Sequence, residues 1–166
     1  MLGRMNASRA SDTQLAAVEK ACREFHAHWQ SFEHMPFTCE FAGTLDDVRA
    51  LDYLDYEGLG YPASCLSGAA LVWGHVLERQ FEMSWFTISN GELLLTHDAP
   101  GNRITVWPFA RVLEVQERSL PQFGRFAWLL DRVIRDCLQF GALSEESTAW
   151  ARGVIDTWER EGAPWS

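Results

Sequence analysis

Long apolar runs are missing from this chain. The longest, inside Gly68–Gly74 and Phe126–Leu130, reach five residues, against the roughly 20 that a membrane-spanning helix needs. Cysteine is sparse and unpatterned. Cys22, Cys39, Cys65 and Cys137 form no CxxC and no compact framework, which argues against disulfides and predicts free thiols in a reducing cytoplasm. Met1–Ala10 holds Arg4 and Arg9 but no apolar h-region, so it reads as a flexible leader and not as a signal peptide. Positive charge is also short: 14 Lys and Arg against 23 Asp and Glu leave a net charge of −9 and a pI near 4.9. That balance excludes nucleic acid and anionic membrane as the main partner. No GxGxxG, P-loop, nucleophile elbow or D-x-D-x-D-G loop is present, so no cofactor and no metal is expected.

What the chain does have is bulk. Apolar residues make up 47%, with eight Trp and ten Phe, and a chain of this length buries about 70% of its unfolded surface on folding. These features predict one globular domain over residues 11–162, behind a flexible stretch at 1–10.

Ser11 and Gln14 have the spacing of a capping box. Leu15, Val18, Cys22, Phe25, Trp29 and Phe32 then recur by threes and fours, predicting an amphipathic helix that Pro36 ends. Thr44 and Asp47 form a second box, opening a short helix with Leu45, Val48, Leu51 and Leu54 inward and with Asp47, Arg49 and Asp55 toward water. From Ser64 a small-residue helix runs through Leu66, Ala69, Ala70, Trp73, Val76 and Leu77. Each of its two glycines, Gly68 and Gly74, costs up to about 1 kcal/mol in a helix interior. They predict that another backbone packs closely on this central helix. The period then changes to two: Glu82–Ser89, the Asn90-Gly91 hairpin signal, Glu92–His97, and a third strand at Arg103–Trp107. Pro108 starts a helix as its N1 residue, and two further helices follow, striped by Phe123, Phe126, Leu130, Val133, Ile134, Cys137 and Leu138 and then capped by Ser144. The expected fold is α+β: about six helices around a three-stranded antiparallel β-meander.

Several groups are candidates for chemistry. Cys22 and His26 stand four apart, a metal-ligand spacing, with His28, His34 and Cys39 nearby, but Cys22 belongs to the core stripe and no second tightly spaced pair completes the set. Cys65, near a helix N-terminus, or Ser64, with His75 or His97 and an Asp, would make a small hydrolase-like enzyme, although Asp98, next to His97 at a strand end, would point to the opposite face. Arg111, Arg118, Arg125 and Arg132 recur every seven residues, interrupted by Pro121, and read as a solvated face.

The densest signal lies at residues 40–57, where Glu40, Asp46, Asp47, Asp52, Asp55 and Glu57 face a single base, Arg49. All three tyrosines, Tyr53, Tyr56 and Tyr61, sit in or just after this stretch. Carboxylates steer and pair with Arg and Lys, while Tyr gives rigid contact area. Asp52, Tyr53, Asp55, Tyr56 and Glu57, flanked by Tyr61, are therefore the expected partner-binding residues.

In composition this segment resembles immunity proteins that neutralise nuclease toxins. Leu59-Gly60, the small-residue helix with Trp73, the Asn-Gly hairpin and the Val106-Trp107-Pro108 ending are similar to small bacterial domains found near secreted polymorphic toxins, over about residues 58–118. The resemblance implies a non-enzymatic cytoplasmic protein that occludes a basic effector, and it transfers no functional residue. The alternatives are the enzyme using Cys65 or His97 and a homo-oligomeric scaffold, a homodimer built on the first helix.

Overall fold

A computed structural model describes residues 7–30, 42–56, 63–97, 104–117, 124–141 and 143–165. In chain order they form β1 (Ser8–Arg9), α1 (Asp12–Gln30), α2 (Leu45–Tyr56), α3 (Ala63–Gln80), β2 (Ser84–Thr87), β3 (Leu93–Thr96), β4 (Thr105–Val106), α4 (Pro108–Glu117), α5 (Arg125–Phe140) and α6 (Glu145–Glu161). The class is α+β, with six helices and one small antiparallel sheet among the described residues. No helix among them is long and apolar enough to cross a membrane.

The sheet differs from the expected three-stranded meander. Its order is β1-β2-β3-β4, with the hairpin at Asn90-Gly91 in place and Trp85, Leu95 and Val106 aligned across three strands. The fourth strand comes from the segment read as a flexible leader. Ser8 pairs with Thr87, Arg9 pairs with Phe86, and the Ala10 N–H donates to the Trp85 carbonyl at 3.0 Å. A two-residue strand has no period for a sequence pattern to show.

The capping box at the start of α1 forms reciprocally: Ser11 N–H donates to Gln14 Oε1 at 2.8 Å, and Gln14 N–H to Ser11 Oγ at 3.2 Å. Val18, Cys22, Phe25 and Trp29 are buried, whereas Leu15, in the first turn, stays exposed; Phe32 lies outside the described residues. α3 is the central helix, in contact with α1, α2 and α4. Its glycines sit where neighbours come close. A Cβ at Gly68 would stand 2.8 Å from Phe25 Cβ and 3.3 Å from the Ala21 carbonyl oxygen of α1, and one at Gly74 would stand 2.7 Å from the Trp85 indole.

One end of α3 is tied to its neighbours by side-chain hydrogen bonds. At the C-terminal end, Ser147 Oγ donates to the Gln80 carbonyl at 2.7 Å, and the Gln80 amide donates to the Gly43 carbonyl at 2.7 Å, joining α6 and the entry to α2. Ser144 caps α6, accepting from Ser147 N–H at 3.1 Å.

Gly68→Ala is expected to destabilise the fold. The helix-propensity gain is at most about 1 kcal/mol, against about 1–3 kcal/mol for forcing α1 and α3 apart. Urea unfolding should show a lower midpoint with an unchanged slope.

Candidate functional site

The acidic segment folds into α2, and helical spacing decides where each carboxylate goes. Val48, Leu51 and Leu54 are buried as expected, and Ala50 with them. Asp47 stands four residues before Leu51 and seven before Leu54, so it lies on the apolar face. It is 0% exposed. Its Oδ2 accepts the Gly43 N–H at 2.8 Å, while its own N–H donates to the Thr44 carbonyl at 3.1 Å. The second capping box thus closes one residue further back than Thr44. Gly43, at φ 69°, occupies the left-handed region and packs against Arg79 and His75, where a Cβ would meet atoms at 2.9 and 3.3 Å.

Asp52 and Asp55 work on α5. Residue 124, the N-cap of α5, is a glycine at φ 67° with no side chain to cap the helix. Asp52 supplies the cap from α2: Phe126 N–H donates to its Oδ1 at 2.7 Å and Ala127 N–H to its Oδ2 at 3.2 Å. One turn along, Arg125 grips Asp55 bidentately, Nε to Oδ2 at 2.8 Å and Nη2 to Oδ1 at 2.6 Å, with side chains 24% and 12% exposed. The reading of Asp47 and Asp55 as facing water is therefore corrected. α2 lies between α3 and α5 and buries a face wider than one apolar stripe.

Burial pushes the Asp52 carboxyl up to about 7, against the two backbone N–H groups, which pull it down; Asp55 raises it further and Arg125 lowers it. Some of the residue still touches solvent.

What remains outward on α2 is the stripe Asp46, Arg49 and Tyr53. Arg49 Nη1 donates to Asp46 Oδ1 at 2.8 Å across two half-exposed side chains, and Tyr53 is half-buried. Tyr56 is the last helical residue, its side chain outside the described set; Glu57, Tyr61 and Glu40 also lie outside the described residues.

The other candidates separate. Cys65 belongs to the first turn of α3, whereas the His97 ring bonds the carbonyl of Phe81, just past the far end. At 1.5 Å per residue the sixteen positions between 65 and 81 span roughly 24 Å, too far for a nucleophile and its base. His75 Nδ1 lies 2.9 Å from Glu78. Cys22 and Cys137 are buried free thiols, each pushed up to about 12 chiefly by desolvation, so both pack as apolar residues. His26 sits edge-on to Trp29 at 5.1 Å; His34, Cys39 and Asp98 lie outside the described residues. Arg132 stacks over Trp128 at 4.8 Å and Arg135 pairs with Asp131 at 3.0 Å, so with Arg125 on Asp55 the arginine repeat forms no single stripe. Arg118 is not among the described residues.

Sequence reasoning passed over a groove beside the hairpin, about 460 Å³, lined by Ile88, Glu92, Trp107, Ala110, Arg111 and Glu114. The spacing 107, 110/111, 114 leads into one helical face and was legible, as was the hairpin; that the two face each other was not, because the packing of distant elements leaves no local pattern.

Two measurements test the joint. Asp55→Ala removes the bidentate carboxylate from the half-buried Arg125 and should cost about 1.5–3 kcal/mol, the range for hydrogen bonds to charged groups. Asp46→Ala, removing an exposed pair, should cost no more than about 1 kcal/mol in the same denaturation assay. For Asp52 the folded state holds its proton more tightly than the unfolded chain, so its contribution is fully present below about pH 4 and is lost as pH rises through about 7. Asp52→Asn should therefore gain in stability relative to the unsubstituted chain between pH 5 and pH 8, by up to a few kcal/mol. A pH-independent difference between the two would contradict the raised carboxyl.

No family model, curated protein or solved structure matches this chain.

Proposed function

We propose that this chain is a binding protein of the immunity or antitoxin kind, which occludes a basic effector enzyme. The observation that supports it is how charge is divided between fold and surface. Asp47, Asp52 and Asp55 are engaged by the chain's own groups, yet the net charge of −9 still has to be carried. About a third of it faces solvent on α6, where the five acids Glu145, Glu146, Asp156, Glu159 and Glu161 are exposed against the two bases Arg152 and Arg160. A surface of one sign raises the encounter rate with a partner of the other and disfavours acidic competitors.

On α2 the contribution to such an interface falls to Tyr53, beside the Asp46–Arg49 pair, with Tyr56, Glu57 and Tyr61 following in sequence. Asp52 and Asp55 act on it indirectly, by fixing α2 against α5. The enzyme alternative loses its pairing through the separation of Cys65 from the His97 end of α3. The scaffold alternative has only Leu15, Leu113 and Phe140 as exposed large apolar residues among those described, on three different helices, and single exposed apolar side chains are ordinary.

Immobilised protein should capture from source lysate, at low ionic strength, a basic enzyme whose activity is abolished by one equivalent of this chain. Retention of no basic protein, or full activity of the captured enzyme at saturation, would refute the proposal. Tyr53→Ala should weaken the complex by about 2 kcal/mol as an interface hot spot. Asp156→Lys with Glu159→Lys should slow association and flatten its salt dependence, with little change in dissociation.

A further inference from the structure

The groove between the β2–β3 hairpin and α4 has the chemistry of a cation site. In the sheet, Trp85, Leu95 and Val106 are buried on one side. Ile88, two residues past Phe86, and Trp107, one past Val106, follow the opposite side by strand alternation, and both are half-buried. α4 adds Ala110, Arg111 and Glu114 as the other wall. The volume, about 460 Å³, falls in the range of roughly 300–1,000 Å³ typical of small-ligand sites, and exceeds what one long side chain fills.

The rim carries a negative balance. Arg111 Nη1 donates to Glu114 Oε2 at 3.2 Å, which accounts for one carboxylate. Glu92 joins no ion pair among the described residues. Its main chain is fixed in the turn: Glu92 N–H donates to Asn90 Oδ1 at 2.9 Å, and the Ile88 N–H donates to the Glu92 carbonyl at 3.1 Å. The carboxylate is thus presented from a rigid hairpin end.

Elsewhere on this molecule outward aromatic rings already carry guanidinium groups, Arg9 over Phe86 at 5.7 Å and Arg132 over Trp128 at 4.8 Å. Trp107 has no such cation among the described residues. Guanidinium is weakly hydrated and planar, so it stacks on an indole while donating to a carboxylate, which a compact ammonium does less well.

We infer that this groove receives an arginine side chain of the basic partner, its guanidinium against Trp107 and paired with Glu92. The inference rests on the binding-protein reading above and supplies that reading with an anchoring contact.

The test uses the full chain, isotopically labelled, titrated with a capped Gly-Arg-Gly-Arg-Gly peptide and with the same peptide carrying citrulline, which keeps the shape and removes the charge. With the arginine peptide, saturable NMR shifts are expected at the Ile88, Glu92 and Ala110 amides and the Trp107 indole N–H. Citrulline should bind at least about tenfold more weakly, and Glu92→Gln should weaken arginine binding to a similar degree, on the scale of one charge-assisted contact. Equal shifts with both peptides, or shifts centred on α6, would overturn the inference. Effector capture separates the two levels. If Glu92→Lys binds the captured effector as tightly as the unsubstituted chain, the groove assignment fails and the binding-protein reading stands. If the arginine peptide fills the groove but no basic enzyme is ever captured, the reading fails and the groove remains an arginine site.

Discussion

The first turn of α5 cannot finish itself, and much of the arrangement follows from that. Its N-cap is Gly124, which brings no side-chain oxygen and sits at positive φ. A Cβ there would come within 2.7 Å of Pro164, where the C-terminal tail crosses, so a conventional capping residue has no room. The free N–H groups of the turn take their acceptor from Asp52, on a helix more than seventy residues earlier. Asp55, one turn along α2, holds Arg125, and Trp73 Nε1 of α3 donates to the Phe126 carbonyl at 3.3 Å. Three helices and the tail thus converge on one turn. Burying a carboxylate here is tolerable because it meets two N–H donors and the positive end of a helix. Replacing Asp52 with an apolar residue would leave those donors bare.

That joint changes what the acidic segment means. A mostly buried carboxylate whose oxygens already accept from its own chain presents little acceptor surface to a partner's guanidinium, so density of charge in the sequence is not density of charge on the surface. The inward acids organise α2, and the outward ones spread over α6 and the edges of α1 and α4. Long-range attraction to a basic partner needs only the second set, since steering depends on the summed field and not on a single cluster. Short-range anchoring needs rings and carboxylates in fixed positions, and among the described residues the hairpin–α4 groove offers these together.

How much of this was legible depends on the range of the interaction. The Ser11–Gln14 box, the α1 and α5 stripes, the Asn90-Gly91 hairpin and the close approach at Gly68 are all local patterns, and each has its structural counterpart. The placement of Asp47 and Asp55 was within reach too: spacings of four and seven to Leu51, Leu54 and Val48 put both on the buried side of α2, and only the assumption that carboxylates face water hid it. Asp52 as the cap of α5 was out of reach, because nothing in either segment marks the other. The same holds for β1, too short to have a period, and for the groove, whose walls are separated by fifteen or more residues in sequence.

Helix geometry also bears on whether this fold does chemistry. A long central helix is a poor place to assemble a nucleophile and its base when one stands in its first turn and the other beyond its last. His97 is tied to the Phe81 carbonyl through Nε2, and its Nδ1 is buried without a partner. A general base must reach its proton through a solvent- or substrate-accessible lone pair, at hydrogen-bond distance from the reacting atom. An imidazole locked on a helix end with its other nitrogen in the interior serves the turn from α3 into β2 instead. Among the described residues, the inward carboxylates are engaged in joints and desolvation holds the Cys22 and Cys137 thiols protonated, which leaves acids, half-buried rings and one groove with both on the described surface.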